Sequence, residues 1–483
     1  MKKIHRMNIY KILTKAGLVA VLALFVVSCK KTLDINADPN NPTDAPTNVI
    51  LPSAQVNFAF TLGGNGSRLP ASFVQLYSGH RGQPLEYGQY NVSPSSTDNL
   101  WSALYAGSLR DLKAVIDKSR VSGDSMYVGV SQILMAHVFS YLTDMYGDIP
   151  FTDALRDLNA VAPKYDKQEN IYPALIMMIE AGVANVKSNV GKKPGPEDLI
   201  YSGVMASWEK YGNSLKLRLL NHLSKIQPTA AADFLAANPA LISLNAENAK
   251  LTFGTTQANA NPIHSFDVLS GRKDNAVSST LINKMKSYND PRMSKYIAPV
   301  KSGTSAGQYI GNAPGGDNDD AGETKFSRVG PAFASIGSPV MLISYSEVQF
   351  IIAEVRLRQG NTAAATTAYN NAIDADFAFV GNTAAEALTY RTQPSVIFNN
   401  TLERIIEQKW IVMMQAPYEA WTDWRRTGFP VLTPAAINLT AGVIPRRLPY
   451  PQLEVNLNRA SLEAGPGVPV PFEALKQKVW WDK

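Results

Sequence analysis

The 483-residue chain contains one cysteine, Cys29. A single cysteine excludes any disulfide within the chain and any cysteine-rich metal cluster. Histidine is nearly as scarce: five residues, scattered, with no pair at metal-binding spacing. His137, on an apolar helical stripe, reads as a satisfied core residue. No apolar run reaches the ~20 residues of a membrane-spanning helix. A true excess of positive charge is missing as well. There are 46 Lys/Arg against 40 Asp/Glu, but Lys2, Lys3, Arg6, Lys11 and Lys15 all fall in the first 28 residues, which hold no acid. The other 455 residues carry 41 basic and 40 acidic groups. That balance removes the electrostatic case for a nucleic-acid partner, which calls for a basic face.

The N-terminus does carry a pattern. A basic leader precedes twelve uncharged residues, 16–27, and Val26-Val27-Ser28 leads into Cys29. This is the layout of an export signal, with Cys29 where a bacterial lipoprotein signal is cut and acylated. The expected division is therefore a signal over residues 1–28, an extended tether over 29–48, and one helical domain over 49–483. The tether, with Asp38-Pro39-Asn40-Asn41-Pro42, has little to bury. Acyl chains on Cys29 would hold the protein to a membrane without a spanning segment.

From Leu51 onward the apolar period is mostly helical, so the fold class is mainly α. Ser95-Ser96-Thr97-Asp98 looks like a capping box opening a helix that buries Leu100, Trp101, Leu104 and Tyr105. A second helix runs from about Asp124 and stops at Gly147; others cover about 168–189 and the segment carrying Trp208 to Leu223. Late in the chain, Ser344 with Glu347 forms a further capping box. Helices over about 362–377 and 402–414 follow, then a short one from Pro417 to Thr427 closed by Gly428. Short connections suggest stacked, tetratricopeptide-like helix pairs, without a clean 34-residue consensus. The stretch 227–339, dense in Gly, Asn, Ser and Asp, interrupts them. Long irregular loops in a compact protein are often functional.

Tyr418, Trp421 and Trp424 share one helical face, and such a stripe is more often core than a sugar-stacking platform. A platform is better sought on loops. Tyr77, His80, Arg81, Tyr87, Tyr90 and Asn91 lie among Gly and Pro. Rings there could stack on the C–H faces of sugars while Arg and Asn bond hydroxyls. Asp317, Asp319 and Asp320 lie in an acidic loop whose oxygens could hold structural calcium. The EF-hand pattern fails because Arg328 stands where its last Glu belongs, so a solvated acidic loop is the preferred reading and no other cofactor is expected. Gly303-Thr304-Ser305-Ala306-Gly307 matches a nucleophile-elbow pattern. It sits in a loop with no His downstream of its serine, which makes it a coincidence.

Several segments resemble the SusD/RagB family of nutrient-binding outer-membrane lipoproteins of Bacteroidetes. They are Cys29 with Leu33-Asp34-Ile35-Asn36 and the Asp38 to Pro42 run; Asp144-Met145-Tyr146-Gly147-Asp148-Ile149-Pro150-Phe151; and Ser344-Tyr345-Ser346-Glu347 through Glu354. Tyr418-Glu419-Ala420-Trp421-Thr422-Asp423-Trp424-Arg425-Arg426-Thr427-Gly428 is the most specific, and Arg446-Arg447-Leu448-Pro449-Tyr450-Pro451 follows it. The resemblance implies a SusD-like fold, tetratricopeptide-like helix pairs forming a scaffold with large irregular loops. It implies a SusC-like TonB-dependent transporter as partner and a lipid-anchored, cell-surface location at the outer membrane. It also implies a glycan site drawing on the loop near His80 and on mid-chain loops, where Tyr296, Tyr309, Phe326 and Phe333 are the candidates.

The leading expectation is thus non-catalytic capture of an oligosaccharide and its delivery to that transporter. Peptide capture by the same architecture and a secreted glycan hydrolase are the alternatives. Carboxylates are plentiful, yet none is singled out as half of a glycosidase pair.

Overall fold

A computed structural model describes residues 45–156 and 160–483 of the chain. Cys29, the leader and nearly all of the tether lie outside the described residues. The chain enters through α1 (Thr47–Gly63) and α2 (Asn65–Phe73), then β1 (Tyr77–Gly79) and α3 (Gly82–Gly88). The scaffold follows with α4 (Arg110–Ser122), α5 (Ser125–Tyr146), α6 (Gln168–Lys187) and α7 (Met205–His222). After the mid-chain loops it resumes with α8 (Tyr345–Arg358), α9 (Thr362–Phe379), α10 (Leu402–Val412) and α11 (Pro417–Thr427). Helices pack on their sequence neighbours, α4 on α5, α5 on α6, α6 on α7 and α8 on α9. This is the mainly α, helix-pair architecture expected. No helix among the described residues is long and apolar enough to cross a membrane.

Local chemistry places the ends. Gly147 stops α5 at φ 85°, a backbone region that glycine reaches without a Cβ clash, and its N–H donates to the Thr143 carbonyl at 2.8 Å. Gly428 closes α11 in the same way at φ 81°. Two expected caps differ in detail. The capping box near Trp101 is formed by Ser93 and Ser96, two residues earlier than its Ser-rich sequence suggested, because Pro94 starts a 3₁₀ turn over Pro94–Thr97. Ser344 does cap α8, accepting the Glu347 N–H at 3.2 Å. The Glu347 carboxylate turns away from that helix end, however, and joins an ion pair in the core.

Helix α5 is buried on nearly every side, so its apolar surface runs all round. Gly129 and Gly182 let α5 and α6 close up; a Cβ on Gly129 would sit 2.6 Å from the Gly182 carbonyl oxygen. At the centre, Arg218 of α7 donates from Nε and Nη2 to the two Glu347 oxygens at 2.7 Å each and to the Leu342 carbonyl at 2.7 Å. Its third nitrogen donates to His137 Nε2 at 3.0 Å, and His137 Nδ1 in turn faces the Tyr211 hydroxyl at 2.6 Å. Burial and the neighbouring Arg218 hold His137 neutral. His222 sits between Glu419 (3.1 Å) and Asp144 (3.5 Å). Arg426 bonds Glu354 and Asp423, and Lys409 reaches Asp423 at 2.7 Å. Tyr418, Trp421 and Trp424 are interior, as the core reading of that stripe expected, and Arg425 lies 3.9 Å from the Trp421 ring centre.

The stretch 227–339 is pinned by three antiparallel two-stranded ribbons. β2 (Ala249–Leu251) pairs with β6 (Val340–Ile343), β3 (Asn275–Val277) with β1, and β4 (Ile297–Ala298) with β5 (Arg328–Val329). Tyr77 stands opposite Val277 and Ile297 opposite Val329.

Removing one member of a buried ion pair strands the other charge, at a cost of about 3–5 kcal/mol. Arg218→Met is expected to lower the urea midpoint accordingly. Arg156→Ala, which breaks the exposed pair with Asp153, should stay within about 0.5 kcal/mol of the parent. Burial alone would lower the His222 pKa, but Glu419 and Asp144 outweigh it and raise it to about 9. A raised folded-state pKa contributes stability that is complete below the unfolded value, about 6.5, and is lost as pH climbs through the folded one. Thermal unfolding measured from pH 6 to pH 10 should show this decline in the parent and a flatter curve in His222→Gln.

Candidate functional site

The run Leu62-Gly63-Gly64-Asn65-Gly66 breaks the first apolar segment into α1 and α2. The break is also a close approach, since a Cβ on Gly66 would lie 2.9 Å from the Tyr141 hydroxyl. It sets Phe60, at the end of α1, and Arg68, on α2, along one cleft of about 490 Å³. Asn57, Asn65, Asn99 and Phe266 add amides and a second ring to its lining, beside the hydroxyls of Thr61, Ser265 and Ser270. Phe60 is 44% exposed, and its ring meets Phe253 edge-on at 6.2 Å.

Phe266 is delivered by a segment with a firm start. The Asn261 side-chain oxygen Oδ1 accepts the N–H groups of Ile263 (2.8 Å) and His264 (3.3 Å), while its side-chain NH₂ donates to the Ser338 carbonyl at 2.9 Å. The backbone then widens into a π turn over Ser265–Leu269. A second π segment, Ala103–Leu109, opens at Ala103, which lines the same cleft. Interruptions of this kind recur at functional sites. The Arg68 guanidinium lies 3.6 Å from the Phe266 ring centre, and Arg272 lies 4.7 Å from the same ring. Arg68 donates to the Asn65 amide oxygen from one nitrogen; its Nε and Nη1 have no hydrogen-bond partner among the described residues. Asp267 follows Phe266 and accepts from the Asn275 amide at 3.0 Å. Burial pushes its carboxyl up to about 6, against the opposing pull of Asn275 and of Arg68 and Arg328.

A larger cleft of about 570 Å³ lies on the other side of this segment, where Asp267 and Val268 contribute to its wall. Its walls are aliphatic (Val300, Val329 and Ala334 among them), and no Phe, Tyr or Trp lines it. Its lysines are engaged: Lys273 and Lys301 reach Glu323 at 2.7 and 3.0 Å. Volume favours this cleft, but rings with amide and guanidinium donors suit a saccharide better, so the smaller cleft is the stronger candidate.

The loops singled out in the sequence do meet, though not as an aromatic platform. His80 is buried. Its Nε2 faces the Lys273 carbonyl at 2.8 Å, and its Nδ1 accepts the Asp320 N–H at 3.0 Å. Phe326 is half-buried, its ring 6.2 Å from that of His80. Arg81 bonds Asp274 at 2.7 Å and lies 3.8 Å from Asp319. Asp274 also holds Arg272 at 2.8 Å, so this cluster borders the Phe266 cleft through Arg272. Tyr87 and Tyr90 are interior, Tyr90 accepting the Ala435 N–H at 3.2 Å, and Asn91 is half-buried. Tyr296 and Phe333 contact each other at 4.9 Å, also inside, where Tyr296 donates to Asp376 at 2.7 Å. Tyr309 is half-buried, and its carbonyl accepts from Lys286 at 2.8 Å. Buried rings cannot stack on a sugar in this arrangement.

The acidic loop is folded around its own carboxylate. Asp320 is buried and accepts the N–H groups of Thr324, Lys325 and Phe326, together with Arg328 at 3.1 Å. Asp317 and Asp319 are exposed. Among the described residues no group of three or more His, Cys, Asp or Glu is placed to share a metal.

Sequence reasoning passed over Asn57, Phe60, Asn65, Arg68, Asn99 and Phe266. The Gly-Gly-Asn-Gly break beside Arg68 was the available signal.

The chain is thus a helix-pair scaffold with a polar, ring-lined cleft where α1 and α2 meet the Ser265–Leu269 turn. The chain belongs to the SusD-like family described as starch-binding and associating with the outer membrane, whose pattern matches residues 39–451. Solved structures agree on the fold. A chitin-binding protein superposes with a TM-score of 0.77 at 25% identity, covering 91% of this chain and 100% of its own. A chitin-binding SusD homologue from Flavobacterium johnsoniae gives 0.78 at 23% identity, over 90% and 98% of the two chains. A SusD homologue from Bacteroides uniformis gives 0.77 at 24%, over 90% and 99%. No curated protein matches the chain.

A carboxyl whose pKa is raised in the folded state contributes stability that is complete below its unfolded value and is lost as pH rises through the folded one. Asp267→Asn, which cannot ionise, is therefore expected to match the parent in Tm near pH 4. Between about pH 4 and pH 6 it should exceed the parent by a margin that widens and then levels off at higher pH, read by calorimetry.

Proposed function

We propose that this protein captures oligosaccharides at the outer membrane without cleaving them and passes them to a SusC-like TonB-dependent transporter. In this reading Cys29 is acylated and tethers the helical scaffold to the cell surface. The observation that carries the proposal is the cleft between Phe60 and Phe266, where two rings, three asparagines and an arginine face one volume. Rings and hydrogen-bond donors at that spacing provide the stacking and the hydroxyl contacts a sugar chain uses. Hydrolysis is disfavoured by the same lining. Glycoside cleavage uses two carboxyl groups flanking the bond, and no Asp or Glu lines this cleft. The chitin-binding relatives and the family's starch-binding description support a glycan as the ligand class.

Calorimetry with a panel of oligosaccharides, coupled to product analysis, tests capture directly: heat of binding without new reducing ends is the expected outcome. Phe60 is exposed at a helix end, so Phe60→Ala should leave unfolding unchanged while weakening the bound sugar roughly tenfold, about 1.4 kcal/mol. New reducing ends would overturn the non-catalytic reading. For the anchor, Cys29→Ser is expected to abolish palmitate labelling and to move the protein from the membrane to the soluble fraction.

A further inference from the structure

Arg68 is an arginine out of balance with its surroundings. Its side chain lies in the wall of the Phe60–Phe266 cleft with only 9% of the residue exposed. One nitrogen donates to Asn65, while the Nε and Nη1 donors are buried without a hydrogen-bond partner among the described residues. Leaving charged donors unsatisfied away from water is costly. The nearby carboxylates do not remove the deficit. Asp267 is bonded by Asn275, and Asp274 by Arg81 and Arg272. Neither forms an ion pair with Arg68. Arg272 adds a second guanidinium against the same Phe266 ring. Among the described residues the lining thus offers cationic, amide and hydroxyl groups and no carboxylate.

Building on the capture reading, we infer that the cleft selects acidic oligosaccharides, chains whose sugars bear a carboxylate or a sulfate, over neutral ones of the same length. Anionic oxygens are the acceptors that Arg68 lacks, and hydrogen bonds between two ionised partners are roughly twice as strong as neutral ones. The Phe266 ring lies against the guanidinium, its centre 3.6 Å from the guanidinium carbon; in this inference a shift of that ring admits the anion to the unpartnered donors. A neutral hydroxyl can stack and bond at the Phe60 side of the cleft but brings no charge to offset the buried cation.

The test uses the full chain and four probes of equal length: a galacturonan oligomer, a sulfated galactan oligomer, a chito-oligosaccharide and a malto-oligosaccharide. Calorimetry should show at least one acidic probe binding about tenfold or more tighter than both neutral ones. That preference should shrink as salt rises, because screening weakens the charge term. Comparison of the two acidic arms tells carboxylate from sulfate. In Arg68→Gln the acidic-to-neutral ratio should fall towards one, and Arg68→Lys should retain part of it. The salt series on the unaltered protein decides the matter even if Arg68→Gln fails to fold. Neutral probes binding as tightly as acidic ones, or a preference indifferent to salt, overturns the inference and leaves capture standing. Binding of none of the four overturns both.

Discussion

The protein is held together by ionised groups in its interior. Arg218 with Glu347, His222 between Glu419 and Asp144, and Arg426 with Glu354 and Asp423 are all buried. They come from α5, α7, α8 and α11, and all but the Arg426–Asp423 pair, which lies within α11, join helices that are distant in sequence. A buried charge tolerates only its own partner at bonding distance, and so these pairs fix how the helix pairs face each other more sharply than apolar packing does. Trp481 extends the arrangement to the C-terminus, donating to Asp144 at 2.8 Å.

That rigid centre lets the loops be irregular. The mid-chain stretch has little regular structure, yet it is fastened at many points: by three short ribbons, by the Asp320 carboxylate gathering its own loop, and by Arg292 buried between Asp290 and Asp376. Loops stapled in this way can present side chains in defined positions without contributing much core of their own. The π turn carrying Phe266 is the clearest case, since Asn261 secures its start and Asn275 binds the residue after the ring. The family relationship is consistent with a scaffold whose fold is shared at low identity.

The contrast between the two clefts shows how charge decides use. In the larger one, Lys273 and Lys301 are neutralised by Glu323 and Arg328 by Asp320, among largely aliphatic walls. In the smaller one, Arg68 has donors to spare and aromatic company. Unsatisfied buried donors are rare in folded proteins, and where they persist they call for a functional account.

Taken alone, the sequence determined the helices, because their signals are local. Gly147 and Gly428 end helices by what a few adjacent residues can do, and the apolar period shows which face of each helix is inward. It also determined the interior place of Tyr418, Trp421 and His137, and the family, through ordered motifs along the chain. Tertiary structure alone decided that Glu347 leaves its capping box for Arg218, a partner 129 residues away. It alone put Tyr87, Tyr90, Tyr296 and Phe333 inside, since a ring among Gly and Pro has no period to reveal its burial. It also assembled the cleft, joining Arg68 to Phe266 across nearly two hundred positions. Contacts of that range depend on how helix pairs and ribbons are bolted together, which is a property of the whole packed chain and of no single segment.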